Sequence, residues 1–383
     1  MALLDETLRD GLQSPSVKNP TLAEKIRAIE LMDELGIESV NLGVPSASRR
    51  AFAEAVELCR ALATRRLQIR PVCAGRTLID DVSAIAEVSQ QSGVAVEASL
   101  FVGSSPIRAV AEDWDMSLLL ERTKTAVDAA RRADLLVTFV TEDTTRARPE
   151  TLRELFSLAV ERGATRVCLC DTVGFATPEG AAAVTRFARK VVGDRVGIDW
   201  HGHNDRGLAV ANALSAASAG ADRLHATALG VGERVGNPAM ELLLVNLALT
   251  DGPRPLARIS EYCAYFARAL GIEISDNLPL VGKNAFRTAT GVHASAIAKA
   301  EAKSRWLGDH VYSLLSAESI GQSAAICIGP MSGASNVQYW LKSHGISSSE
   351  PLLRALLDRA KSADRVLSDE ELLSVVSRVR REM

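Results

Sequence analysis

Residues 166–203 read RVCLCDTVGFATPEGAAAVTRFARKVVGDRVGIDWHGH, and this stretch decides the architecture. Arg166–Val173 is a short run of aliphatic and β-branched side chains, which reads as a strand. Pro178–Val192 has helical periodicity, with Thr177 placed as an N-cap and Pro178 in the first turn, where its missing N–H costs nothing. Val196–Asn204 is a strand again. Strand, helix, strand in so short a space is the βαβ unit of a parallel sheet.

Working outward, the same rhythm fills about the first 250 residues. Further strands are predicted over Ala2–Thr7, Ser39–Gly43, Gln68–Ala74, Val94–Phe101, Leu135–Glu142 and Arg223–Gly230. The helices between and after them are Thr21–Leu35, Arg49–Ala63, Leu78–Gln91, Asp115–Ala133, Pro149–Arg162, Leu208–Ala219 and Pro238–Leu249. Thr21 and Ser48 stand where N-caps belong, and Pro149 and Pro238 suit first turns. Eight such units in roughly 250 residues predict an α/β fold, a closed (β/α)8 TIM barrel over residues 1–253. The runner-up, an open doubly wound sheet, needs a glycine-rich first turn, and Asp10-Gly11-Leu12-Gln13 is no G-x-G-x-x-G. From residue 254 to 383 the alternation stops. Helical stretches (Ile259–Leu270, Ala294–Lys303, Pro351–Ser362, Asp369–Arg381) and a Gly/Ser-rich run, Gly329–Ser335, predict a smaller, mostly helical C-terminal subdomain.

Composition narrows the function classes. Lys+Arg 44 against Asp+Glu 47 leaves a formal charge of −3, with both signs spread along the chain. A nucleic-acid or membrane-surface binder would need a basic face. Six cysteines without a CxxC pair do not make a disulfide framework, so the expected compartment is the reducing cytoplasm. The start carries acids and no basic n-region, so no signal peptide is expected. The longest uncharged stretch, Gln322–Leu341, is broken by Gly, Pro and Ser and is a poor membrane span.

In a TIM barrel the chemistry sits at the C-terminal ends of the strands. Strand one ends in Thr7-Leu8-Arg9-Asp10-Gly11, strand five in Thr141-Glu142-Asp143, strand six in Asp171-Thr172 and strand seven in His201-Gly202-His203-Asn204-Asp205. Residues i and i+2 of a strand share a face, so His201 and His203 can grip one ion together, with Asp10 from strand one. Histidine and carboxylate with open positions suit Zn2+, Mn2+ or Fe2+, and Mg2+ if water completes the shell. The lone His225 reads as a core histidine with satisfied hydrogen bonds, and Cys168 and Cys170 as packing thiols. Arg9 is either an ion-pair partner for Asp10 or a cation for a substrate carboxylate or a developing oxyanion. Glu233-Arg234 is either a surface ion pair or part of a loop whose glycines, Gly230, Gly232 and Gly236, let it approach a ligand. Asn237 either caps the following helix or offers its amide oxygen to the metal. Arg76 either meets a second carboxylate on the substrate or pairs with Asp80 or Asp81.

Taken together, Asp5–Gln13, His201–Asp205 and Gly232–Asn237 resemble the 2-isopropylmalate, homocitrate and citramalate synthase family of metal-dependent TIM-barrel acyltransferases, which is related to the 3-hydroxy-3-methylglutaryl-CoA lyases. Asp171–Gly174 and Gly291-Val292-His293-Ala294 are weaker matches to the same pattern. The resemblance implies that Asp10, His201 and His203 hold one divalent ion, Zn2+, Mn2+ or Mg2+, with Asn237 a weaker or water-mediated fourth ligand. It implies that Arg9 steadies the 2-oxo group, that Glu142 and Thr172 contact the 2-oxo acid with Gln13 beside them, and that Glu233, His293 and Tyr312 serve catalysis. His293 and Tyr312 resemble residues delivered to the barrel of a neighbouring subunit, which implies a homodimer with exchanged C-terminal subdomains. The implied reaction is condensation of acetyl-CoA, or a close acyl-CoA, with a 2-oxo acid.

The chain departs from that pattern at Leu12, where many synthases have an acid, at Asn41, where a Glu is common, and at Ser99, where many carry a His. The lyases, the competing reading, use a cysteine in the glycine-rich loop after strand eight. Ala228–Asn237 has none, which favours synthesis. A third reading, a catalytically dead barrel, conflicts with the complete ligand set and with Arg9. The chain leaves no room for a leucine-sensing domain after residue 383, so no leucine inhibition is expected.

Overall fold

The structure, a computed structural model, describes residues 1–382. Eight parallel strands close into a barrel in chain order. They are β1 (Ala2–Asp5), β2 (Ser39–Asn41), β3 (Arg70–Arg76), β4 (Glu97–Gly103), β5 (Leu136–Glu142), β6 (Arg166–Asp171), β7 (Gly197–Gly202) and β8 (Arg223–Ala226). Closure is made by β1 against β8, with Ala2 opposite Arg223 and Asp5 opposite Ala226. The surrounding helices are α1 (Leu22–Glu34), α2 (Arg49–Arg65), α3 (Ile79–Ser92), α4 (Pro106–Ala111), α5 (Met116–Arg132), α6 (Pro149–Glu161), α7 (Pro178–Val192), α8 (Ala209–Ser218), α9 (Met240–Thr250) and α10 (Ile259–Leu270). The expected TIM barrel is therefore the observed fold. No described helix is long and apolar enough to cross a membrane.

The cap residues behave as their chemistry dictates. Thr21 and Glu24 form a reciprocal capping box on α1, Ser48 accepts from the Ala51 N–H, and Thr177 accepts from the Gly180 N–H. Pro149 and Pro178 open α6 and α7. Pro238 does not open α9, which starts at Met240. Most predicted strands overrun at their C-terminal ends, where the ladder stops and the chain passes into the βα loop. At the end of β8 the cause is visible. Thr227–Gly230 turns sharply, with Leu229 at φ 55°, so the residues that read as strand have left the sheet.

The chain divides into compact units Met1–Glu273 and Ile274–Met383, so the sequence boundary at 253/254 falls one helix too early. The helix α10 belongs to the first unit because its inner face is buried there. Tyr262 is fully buried and donates its hydroxyl to Asp5 Oδ2 at 2.5 Å, while Tyr265 donates to the Glu24 carbonyl at 2.9 Å. Burial pushes the Asp5 carboxyl up to about 6, which makes a nearby donor matter more. Tyr262→Phe removes that donor and is expected to destabilise the first unit by about 1–3 kcal/mol, read as a lower denaturant midpoint.

The second unit holds α11 (Gly291–Glu301), α12 (Arg305–His310), α13 (Ala334–Ser343), α14 (Glu350–Lys361) and α15 (Asp369–Glu382), with a short parallel pair, β9 (Arg287–Thr288) and β10 (Ala325–Ile326). Its core packs Trp340, Leu341, Leu352, Leu356, Leu372 and Val376. The Gly/Ser-rich run leads directly into α13, a helix that the sequence reading does not identify.

Candidate active site at the barrel mouth

Strand alternation builds the site. Ser99 and Phe101 of β4, Val140 and Glu142 of β5, Cys168 and Cys170 of β6, and His201 of β7 with His203 just beyond it face one cavity of about 280 Å3. Glu6, Arg9, Asp10 and Gln13 from the loop after β1 line it too, with Thr172, Glu233 and Arg234 from later loops.

Asp10, His201 and His203 are all buried, and their ligand atoms lie within 4.8 Å of one another. His201 Nε2 is 3.1 Å and His203 Nε2 is 3.6 Å from Asp10 Oδ2. Burial opposes the charge on Asp10, but Arg9 and the two imidazoles outweigh it and hold the carboxyl well below the usual range. Burial and the neighbouring His201 push His203 down to about 4, so its imidazole is neutral near pH 7. An ionised carboxylate facing a neutral imidazole is the protonation state that divalent-metal ligation needs.

A second trio, Glu6, His201 and His225, also meets the distance test. It is less suited to an ion, because Glu6 is already bound by Arg9 at 2.6 Å and Asn41 at 3.2 Å, and His225 lies between two carboxylates that favour its protonated form. Nε2 lies 3.0 Å from Asp199 Oδ2 and Nδ1 lies 3.3 Å from Glu6 Oε1. Those carboxylates outweigh burial and raise the His225 pKa. The core-histidine reading of His225 thus has a specific form, a bridge between two buried acids.

Arg9 donates from Nε to Glu6 Oε2 at 2.6 Å and places a second nitrogen 3.3 Å from Asp10 Oδ2. Glu6 itself is held down to about 2, since Arg9 and His225 outweigh its burial. Glu142 differs: burial raises its pKa, with Arg108, 3.3 Å away, opposing. Thr172 Oγ1 accepts from the Asp143 N–H at 2.8 Å.

The loop after β8 is shaped by its glycines. A Cβ on Gly236 would lie 1.8 Å from the Gly230 carbonyl oxygen, and φ there is +87°, so no other residue fits. A Cβ on Gly232 would lie 2.0 Å from Asn237 Oδ1. This packing brings the Glu233 N–H to Asp10 Oδ1 at 3.3 Å. Arg234 does not pair with Glu233. It makes two hydrogen bonds to Asp205 and one to the Thr172 carbonyl, at a positive φ of 56°. Asn237 is not a helix cap, because α9 starts beyond it. Its Nδ2 donates to the Gly202 carbonyl at 3.0 Å and lies 3.4 Å from Asp10 Oδ2, while its Oδ1 is buried without a partner. A half-turn of the amide would bring that orphaned oxygen to the Asp10 side.

Arg76 leaves the set of cavity residues. Asp81 binds its guanidinium twice, at 2.9 Å each, and Arg76 does not line the cavity. A planar fork meeting a buried carboxylate two residues into the next helix is the stronger partner. Cys168 and Cys170 are buried, 4.0 Å apart, and pack with Val140 and Phe101, as the packing reading expects. All six cysteines are free. In the second unit, the ring centroids of His293 and Tyr312 lie 4.2 Å apart although the two stand nineteen positions apart in sequence. Sequence reasoning gave Glu6 no role. Its signal was a second acid placed between the first strand and Arg9.

Comparison with known proteins gives the family and the fold. Residues 1–258 match the HMGL-like family. A putative (R)-citramalate synthase from Methanopyrus kandleri is 32% identical over 94% of this chain and 68% of its own length. A homocitrate synthase from Pyrococcus horikoshii is 29% identical over 99% of both. Among solved structures, an HMG-CoA lyase from Brucella melitensis superposes with a TM-score of 0.58 at 17% identity, over 70% of this chain and 97% of that one, which supports the barrel fold. The match over most of the chain, carried by a barrel with its polar residues gathered at one mouth, makes this protein a member of the HMGL-like family.

Proposed function

We infer that the protein condenses acetyl-CoA, or a close acyl-CoA, with a 2-oxo acid to give a 2-alkylmalate-type product and CoA. The observation that carries this is the buried Asp10, His201 and His203 trio beside Arg9 in one cavity. The trio fits a divalent ion, Zn2+, Mn2+ or Mg2+, in number, burial and protonation state, and Asn237 with its orphaned oxygen is the candidate fourth ligand. Bound there, such an ion supplies a Lewis acid for the keto oxygen of the 2-oxo acid.

The chain's own groups do the rest. Arg9 offers N–H donors where negative charge grows on that oxygen. Gln13 and Thr172 line the cavity as hydrogen-bonding groups for the acid. Glu142, with its raised pKa, and Glu233 line the same wall and are the candidates for carrying protons. The His293–Tyr312 pair is the candidate for the step at acetyl-CoA: a base takes a methyl proton, the methyl carbon bonds to the keto carbon, and the oxygen is protonated. Water then cleaves the thioester, giving a carboxylate and the free thiol of CoA. Delivery of that pair by the partner subunit of a homodimer belongs to the same proposal and rests on the family resemblance.

The names of the relatives, citramalate and homocitrate synthase, support the synthetic direction. The cavity loop Ala228–Asn237 without a cysteine disfavours the lyase. The test is thiol release from acetyl-CoA over a panel of 2-oxo acids with Mn2+, Mg2+ or Zn2+. Release only when a 2-oxo acid is present is expected. Cleavage of hydroxymethylglutaryl-CoA with no acceptor, and no release in the panel, would overturn the reading.

A further inference from the structure

We propose that Glu6 is a specificity-determining residue: its carboxylate, held on the cavity wall, restricts the acceptor to monocarboxylic 2-oxo acids with an uncharged side chain. This rests on the condensation reading and names the substrate class within it.

Glu6 is 2% exposed and yet lines the cavity. Two hydrogen bonds fix it, Arg9 Nε on Oε2 at 2.6 Å and Asn41 Nδ2 on Oε1 at 3.2 Å, and His225 Nδ1 lies 3.3 Å from Oε1 as a charge contact. Asn41 is itself clamped, its Oδ1 accepting from the Gly43 N–H at 3.1 Å. The carboxylate therefore cannot swing away from an incoming anion.

The positive side of the ledger is already committed. The cavity lining carries two arginines, Arg9 and Arg234, and His225, which is held between Asp199 and Glu6 themselves. Arg9 is shared between Glu6 and Asp10, and its remaining donors are needed for the 2-oxo group itself. Arg234 is bound by Asp205. The nearby Arg76, the one cation offered by the sequence for a second carboxylate, is taken by Asp81 outside the cavity. A second carboxylate on the acceptor would thus be desolvated beside Glu6 with no free cation among the described lining residues. Like charges placed together in such a site cost several kcal/mol in general, and an unpaired buried carboxylate is not tolerated.

The remaining wall suits a small uncharged chain. Ala74, Ser99, Val140 and Cys168 are short side chains facing the same space. Ser99 and Asn41, the two of the three departures from the family pattern that line the cavity, now have a physical consequence: neither brings charge.

The experiment compares kcat/KM for thiol release from acetyl-CoA with pyruvate, 2-oxobutyrate, 2-oxoisovalerate, oxaloacetate and 2-oxoglutarate, in the full chain with Mn2+. At least one of the three monocarboxylic acids is expected to exceed both dicarboxylic ones by about 100-fold or more. In Glu6→Gln that ratio is expected to shrink by about tenfold or more, because the amide keeps the size and an acceptor oxygen but not the charge. Ser99→Lys, which adds a cation to the same cavity, is expected to move the ratio in the same direction and serves if Glu6→Gln does not fold. Equal turnover of 2-oxoglutarate by the unaltered protein, or an unchanged ratio in a folded Glu6→Gln variant, overturns the proposal and leaves the condensation reading standing. No thiol release with any acid overturns the condensation reading, and the assignment of Glu6 falls with it.

Discussion

His203→Ala is expected to weaken binding of a divalent ion by more than about 100-fold and to lower kcat/KM for thiol release by about 1,000-fold. The first figure is a lower bound taken from groups that only support a ligand, whose loss costs 10- to 100-fold. The second is the scale of removing a group that stabilises charge in the transition state. The physical basis is the pairing of an ionised Asp10 with a neutral His203 beside His201, three buried donors within 4.8 Å. Alanine leaves two of them and a void that water fills. Calorimetric titration of chelator-treated protein with Mn2+ reads the affinity, and thiol release reads the activity. His225→Gln discriminates between the two overlapping trios. If the ion is held by Asp10, His201 and His203, the Gln variant keeps its metal stoichiometry and the Ala variant does not. Metal loss in His225→Gln with retention in His203→Ala would move the site to Glu6, His201 and His225.

How much of this was legible in the sequence depended on periodicity. The βαβ rhythm is a strong signal because a parallel strand must be followed by a crossover helix, and the barrel followed from counting units. The same period of two placed His201 and His203 together. Applied one step further back it would also have placed Asp199 on that face, and Arg223 with His225 on the next strand. A charged residue inside a barrel strand is the signal that was passed over. Asn237 and Arg76 were not decidable, since Asn237 could cap the next helix or face the metal and Arg76 could meet the substrate or pair with Asp80 or Asp81, and only the turn of each loop selects one. The short helix α4 was missed because six residues carry too little periodicity. The boundary at 253/254 failed for a different reason: α10 looks like any amphipathic helix, and its attachment through Tyr262 to Asp5 is a contact 257 residues apart.

That buried face carries the largest stability prediction. Asp199→Asn is expected to destabilise the barrel unit by about 3–5 kcal/mol. Asp199 is fully buried and receives Arg223 Nε at 2.8 Å and Nη2 at 2.6 Å, Arg166 Nε at 2.7 Å and His225 Nε2 at 3.0 Å. Burial opposes its charge, but Arg223, His225 and Arg166 outweigh it and hold the carboxyl far below the usual range. The folded pKa is depressed, so the contribution is complete above the unfolded carboxylate value of about 4 and is lost only on strong acidification. An amide keeps the shape and removes the charge, leaving Arg223, 2% exposed, with Glu97 as its remaining carboxylate. The size of the effect is set by a buried Arg223 left with one carboxylate where it had two, more than by the lost attraction. Urea unfolding followed by the fluorescence of the buried Trp200 next to it reads the change. If stability instead were unchanged at pH 7, Glu97 alone would suffice to hold Arg223, and the network beneath the cavity would not depend on Asp199. A fall in stability at pH 7 without a change in the metal affinity of the barrel mouth would separate this inner layer of charge from the cavity above it.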